Sequence, residues 1–148
     1  MKNNIYIAFK AIIMRDDKIL IIKRSSKEDC FKNQWDIPGG KFNFGENPSD
    51  CLKREVFEET NIEIYDDFQP VRVWTFFKDN GRTQVVGITF LCRYKSGKIR
   101  ISKEHTDFKW INPSEIDAYD IHDGIKEDVR VAMRLKSYLI NKQEISGL

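Results

Sequence analysis

Cysteine is scarce in this 148-residue sequence: Cys30, Cys51 and Cys92 are the only three, and no pair has C-x-x-C spacing. An odd, widely spaced set signals neither a disulfide framework nor a zinc site, and free thiols in a reducing cytoplasm are the expectation. Net charge is also small, +2 from 25 basic and 23 acidic residues, whereas domains that bind bulk nucleic acid are strongly basic. No run of about 18 apolar residues is present to cross a membrane. Residues 1–10 lack the apolar core and cleavage site of a signal peptide. These absences predict a cytoplasmic protein with neither membrane nor bulk nucleic acid as a partner. Repeats and Gly-, Pro- or Ser-rich linkers are missing too, so residues 1–148 read as a single domain. What remains, 41% hydrophobic and 32% charged residues, is a globular composition.

Residues 5–14 are rich in Ile, Phe and Ala and read as a strand. Arg15-Asp16-Asp17 turns the chain, and residues 18–23 return as the second arm of a hairpin. Residues 25–34 are polar and irregular, and residues 35–42 are extended but broken at Pro38-Gly39-Gly40. The best helix follows. Asn47 is a good N-cap, Pro48 suits the first helical position and Asp50 stands three residues after the cap. Asn61 can supply the left-handed residue that ends it. Strands are expected at residues 62–64, 71–77, 84–94 and 108–111, the middle pair hinged at Asp79-Asn80-Gly81. A final amphipathic helix over 121–141 places Ile125, Val129, Ala132, Met133 and Leu139 near one face. The pattern predicts an α/β sandwich around a mixed sheet.

The chemistry-bearing segment is Arg54-Glu55-Val56-Phe57-Glu58-Glu59. Positions i, i+3 and i+4 are neighbours on a helix, so Glu55, Glu58 and Glu59 share a face. That arrangement is poor for folding. Like charges at i and i+4 cost about 0.2–0.5 kcal/mol, and acids in a last turn oppose the helix dipole by about 0.3–1 kcal/mol. On the helix alone, a solvated acidic face balanced by Lys53 and Arg54 competes with a cation site. The turn at Pro38-Gly39-Gly40, which lets a backbone carbonyl approach a ligand, and the further acid Glu46 favour the cation. A hard divalent ion with oxygen ligands, Mg²⁺ above all, suits such donors.

Gly40, Glu46, Arg54, Glu55, Val56, Glu58, Glu59 and Ile62 fall at the spacing G-x5-E-x7-R-E-U-x-E-E-x-G-U, with Asn61 in place of the last glycine. This segment resembles the box of the Nudix hydrolases. Asn is the next-best residue for a left-handed helix end, so the departure touches helix termination and not chemistry. The lead-in Trp35 to Lys41 and the stretch from Glu104-His105 to Trp110-Ile111 also resemble family patterns. The resemblance implies an α/β/α sandwich and a Mg²⁺-dependent enzyme, with Mn²⁺ as a substitute. It implies Glu55, Glu58 and Glu59 as metal ligands, with the Gly40 carbonyl and Glu104 as further ones. Glu55 would orient or deprotonate the attacking water, Arg54 would hold the box carboxylates, and Glu46 would support the loop.

Cys51, one turn before Glu55, reads as packing because Mg²⁺ prefers oxygen to sulfur. Trp110 is a candidate to stack on a nucleobase, against the alternative of ordinary rim packing. Lys23 and Arg24 are candidate phosphate contacts, against an ordinary basic turn.

Substrates of this family are nucleoside diphosphates linked to a variable group, and the box does not name it. The proline that marks one group of ADP-ribose hydrolases, about 16 residues beyond the box glycine, is absent. That region is residues 76–78, and the nearest proline is Pro70. The tyrosine of one dinucleoside-polyphosphate group is absent as well. Elimination leaves a nucleoside triphosphate cleaved to monophosphate and pyrophosphate. ADP-ribose or a nucleotide sugar is the alternative substrate, and a non-catalytic ligand-binding module is the alternative class. The retained Glu46, Glu55, Glu58 and Glu59 argue for the enzyme. Monomer and homodimer both stay open, with residues 71–94 as a candidate interface.

Overall fold

The computed structural model describes residues 2–146, with side chains through Ser137; Leu139, expected on the inner face of the last helix, falls outside those side chains. Strand β1 (Asn4–Arg15) and strand β2 (Lys18–Arg24) form the expected hairpin. Asp16 and Asp17 turn it with φ of 49° and 62°, the pair of positive values that a tight two-residue hairpin requires.

The strands that follow are short β3 (Trp35–Asp36) and β4 (Gly39–Lys41), then β5 (Glu63–Ile64), β6 (Gln69–Lys78), β7 (Thr83–Ser96) and β8 (His105–Ile111). β7 runs parallel to β1 from Asn4↔Thr83 to Met14↔Arg93. β6 pairs antiparallel along the other side of β7. β2 bonds β1 only near their turn, through Met14↔Ile19 and Arg15↔Lys18, and then leaves it. The rest of β1 is taken by β4, through Ala8↔Lys41, Phe9↔Gly40 and Lys10↔Gly39. A cleft opens where the two partners of β1 diverge.

Helix α1 (Pro48–Thr60) and helix α2 (Asp123–Ser146) cover opposite faces of this mixed sheet. The apolar runs of β1 and β2 are buried on both sides because neighbouring residues point to opposite faces. Phe9, Ala11, Ile13, Leu20 and Ile22 pack under α1 with Leu52 and Val56. Ile12, Ile19 and Ile21 pack on the other face with Ile37, Val129 and Ala132 of α2. The α/β sandwich expected from the pattern is the architecture observed.

Boundaries differ in detail. β6 begins at Gln69, includes Pro70 and tolerates it at a register irregularity between Pro70 and Arg72. β8 starts at His105 rather than Phe108 because its first residues continue the ladder with Lys23 and Arg24 of β2. α2 begins at Asp123, not Ile121, whose backbone bridges Trp35 instead. A 3-10 turn, Pro113–Ala118, capped by Asn112, was not anticipated.

Candidate active site

The caps of α1 set the position of its carboxylates. The Asn47 side chain accepts a hydrogen bond from the Ser49 N–H at 2.9 Å. At the other end Asn61 adopts φ 63° and donates its N–H to the Phe57 carbonyl. Between them Cys51, Leu52, Val56 and Thr60 face the core, which turns Glu55 and Glu59 along the flank of the helix toward β4. Gly40 meets them there: a Cβ at this position would occupy the space of the Glu55 carboxylate. Gly39 donates its N–H to Glu59 Oε2 at 3.1 Å.

Arg54 holds the acids from outside. Its Nε and Nη2 bind the two oxygens of Glu46 at 2.6 and 3.1 Å, and Nη1 reaches Glu55 at 2.8 Å and Glu58 at 3.2 Å. The guanidinium hydrogen bond holds the Glu46 carboxyl down to about 2. Burial raises Glu55, opposed by Arg54. Glu59, enclosed by protein on most sides, is pushed up to about 8 by burial, with Lys10 and the Gly39 N–H opposing. Burial also pushes the Cys51 thiol up to about 12, with Glu46 adding to it; this sulfur is packing.

These groups open onto a cleft of about 670 Å³, within the range usual for small-molecule sites. Its floor is the α2-facing side of three strands, and the registers arrange it in rows. Tyr6, Val85 and Phe76 form one row, Ala8, Gly87 and Trp74 the next, and Lys10, Thr89 and Arg72 the third. The small middle row lets the Trp74 indole lie across β7, where a Cβ on Gly87 would overlap it. Lys41 and Lys78 approach the Tyr6 ring at 3.5 and 5.5 Å. Neither has a carboxylate partner among the described residues. Asp36, buried, joins Lys10 at 3.0 Å and Arg24 at 3.4 Å.

Gly40, Glu55, Glu59, Arg24 and Glu104 line this cleft together, and Glu104 raises the pKa of Glu55 by its charge. Glu46 and Arg54 stand just behind the cleft, as a brace. Glu58 is largely exposed and turned toward Arg54. Two candidates lie elsewhere. Trp110 does not line the cleft: it pairs with Leu20 and therefore shares the α1 side of the sheet. There it meets the Tyr94 ring edge-on at 6.0 Å, with the Arg15 guanidinium nearby. Lys23 is also outside, its ammonium 5.9 Å from the Trp35 ring; the register irregularity between Lys23 and Arg24 re-aims only the latter inward. Arg24 itself is spent on Asp36, Glu28 and the Cys30 carbonyl.

Lys10, Asp36, Lys41, Arg72, Trp74, Phe76, Lys78, His122 and Asp128 also line the cleft and were not expected from the sequence. For β6 a signal existed: Arg72, Trp74, Phe76 and Lys78 alternate, the period of one strand face.

The NUDIX domain model matches residues 6–132. The chain belongs to the Nudix family. The "Nucleoside triphosphatase NudI" of Escherichia coli (strain K12 / DH10B) is 25% identical over 130 residues, covering 81% of this chain and 91% of that one. Among solved structures, the MutT protein from Methanosarcina mazei Go1 superposes with TM-score 0.77 at 22% identity, over 92% of this chain and 98% of that one. The MutT NUDIX hydrolase from Burkholderia pseudomallei gives 0.73 at 22% identity, over 86% and 98%. This chain is thus a Nudix hydrolase with the family's α/β fold. No described helix is long and apolar enough to cross a membrane.

Nudix hydrolases generally use divalent metals. No group of three or more His, Cys, Asp or Glu side chains encloses a ready-made ion site among the described residues. The neighbouring carboxylates Glu55 and Glu59, both raised by burial, nonetheless meet at the Gly39–Gly40 turn, where a cation would favour their charged forms. An all-oxygen set of this kind fits a hard divalent cation completed by substrate phosphates.

Proposed function

We propose that this Nudix hydrolase is a Mg²⁺-dependent nucleoside triphosphate pyrophosphohydrolase, releasing a nucleoside monophosphate and pyrophosphate. One observation carries the reading: a single cleft joins an acidic end at Gly40, Glu55, Glu59 and Glu104 to an aromatic end at Trp74 and Phe76. Between the two, the lysines over Tyr6 offer unpaired positive charge. From β4 to β6 is three strand spacings, roughly 14 Å, so the site suits an elongated ligand with phosphates at one end and a flat ring at the other. The E. coli relative, a nucleoside triphosphatase by name, agrees with this reading.

Glu55, Glu59, Glu104 and the Gly40 carbonyl, joined by Glu58 once it leaves Arg54, are the groups that would hold Mg²⁺, or Mn²⁺ in its place. The cation, when bound, neutralises phosphate oxygens. Lys41 and Lys78 bind the phosphate chain. Glu55, fixed by Arg54 and with its affinity for protons raised by burial, takes the proton of the attacking water. Arg54 and Glu46 act through Glu55 and touch no substrate. The working unit is one domain, 1–148, in the cytoplasm.

The test is a hydrolysis panel of nucleoside triphosphates, ADP-ribose and diadenosine polyphosphates, with and without Mg²⁺, products being separated by chromatography. Metal-dependent release of pyrophosphate from a triphosphate is the expected result. AMP and ribose 5-phosphate from ADP-ribose, with triphosphates untouched, would overturn the substrate assignment.

A further inference from the structure

The aromatic end of the cleft has an edge as well as a face, and the edge is built of donors. Trp74 and Phe76 form the face, stacked at 5.9 Å and 15°. Phe31, from the loop between β2 and β3, stands edge-on to Phe76 at 6.2 Å and to His122 at 5.5 Å, and bounds the opposite side. Arg72 lies at the rim of this plate. Its Nε donates to Asp128 Oδ1 and its Nη2 to the Gly124 carbonyl at 3.1 Å. Its Nη1 has no partner among the described residues, and the side chain is one-third exposed.

Nearby acceptors are already occupied. Asp128 is 2% exposed, and its second oxygen accepts the Thr89 hydroxyl at 2.6 Å. That hydroxyl oxygen in turn accepts the Trp74 Nε1–H at 2.9 Å. One buried carboxylate therefore fixes both the plate and the guanidinium. A second donor stands beside the first. His122 Nδ1 accepts the Gly124 N–H at 2.9 Å, so in the neutral ring the proton is assigned to Nε2. Gly124 keeps the two together: a Cβ there would lie 3.0 Å from His122 Nδ1 and 3.3 Å from Arg72 Nη2.

We infer that Arg72 and His122 make this end of the cleft a subsite for nucleobases with a keto oxygen at purine C6 or pyrimidine C4, selecting guanine, uracil and thymine over adenine and cytosine. Guanidinium groups only donate. Guanine O6 and the O4 of thymine or uracil accept, whereas at the same positions the exocyclic amino groups of adenine and cytosine would face donor with donor. The inference rests on the nucleotide reading of the cleft above, and it names the class of base.

The experiment measures binding of GMP, UMP, AMP and CMP by calorimetry, independent of turnover, beside kcat/KM for the four triphosphates. Dissociation constants for GMP and UMP should lie about 10- to 100-fold below those for AMP and CMP, the discrimination expected of one or two such contacts. Arg72→Gln, which offers an acceptor as well as a donor, should collapse the ratio. Because that change alone strands Asp128, the pair R72Q/D128N is the second variant, and it should also lose the ratio while melting near wild type. Equal affinity for the four monophosphates, tighter binding of AMP or CMP, or no saturable binding of any would overturn the proposal. Keto preference in binding without triphosphate cleavage would instead refute the proposed reaction and leave the subsite standing.

Discussion

Gly40→Ala isolates what the glycine turn does. Gly40 is absent from the glycines with positive φ, unlike Gly39 and Gly45, so alanine strains no backbone there. By chain entropy alone the change would stabilise the fold by about 0.4–1 kcal/mol. The added methyl, however, falls on the Glu55 carboxylate. That carboxylate must swing by about an ångström, pulling against Arg54, and a misplacement of that size costs on the order of 10²-fold in rate. The expected outcome is therefore a thermal midpoint close to wild type with kcat/KM for the best triphosphate down about 100-fold. Shortening the acid by one methylene in the double variant Gly40→Ala/Glu55→Asp should recover part of the loss relative to the product of the two single changes, a coupling readable as a double-mutant cycle. Steady-state pyrophosphate release and differential scanning fluorimetry on the same preparations give both quantities. Activity within threefold of wild type for Gly40→Ala would refute the reasoning, because Glu55 would then be working away from this turn.

Glu59→Gln should depress kcat by about 10³-fold, the middle of the range for a group acting directly at the reacting centre, and Glu58→Gln by less, since Glu58 points outward to Arg54; equal losses would show that Glu58 moves into the cleft during turnover. Trp110→Ala should cost about 2–3 kcal/mol in urea denaturation, a partly buried aromatic's share of the usual core penalty, with KM unchanged; a raised KM would return Trp110 to the substrate. His105 is held down to about 4 by burial, with the nearby charges of Arg24 and Lys10 adding to that and Asp36 opposing it. Its depressed value means that the unfolded chain takes up the proton first, so stability falls as pH drops from about 6.5 to about 4 and is unaffected above. The interval caps the loss near 3 kcal/mol, and solvent screening reduces it to about 1–2 kcal/mol. His105→Gln should flatten that part of the pH–stability curve, and an unchanged slope would remove His105 as its source.

The acidic end of the cleft was legible because its parts are local: the cap Asn47, the terminator Asn61 and the spacing of Glu55 and Glu59 lie within one helix and the turn before it. The strands were legible from their apolar runs, though Pro70 and the bulge near Arg24 blurred their ends. Trp110 was left between stacking and packing because a strand's period gives two faces without saying which one meets the ligand. That choice was made by pairing with Leu20 across β2, a contact between distant parts of the chain. The aromatic end was hidden for the same reason. Arg72 and Asp128 meet only after β6 and α2 are packed, and Trp74 lies flat only because Gly87 is its neighbour.

The parallel ladder between β1 and β7 carries a consequence for how activity arises in the growing chain. The acidic end hangs on β1 through β4, and the base-facing end hangs on β7 through β6. The two halves are joined mainly along that ladder, whose partners are far apart in sequence and slow to meet, with Phe31 against Phe76 as a smaller bridge. A nascent or nicked chain ending before β7 would keep every residue of the box and still have nowhere to seat a base. Nucleotide binding should therefore appear only once the ladder has formed.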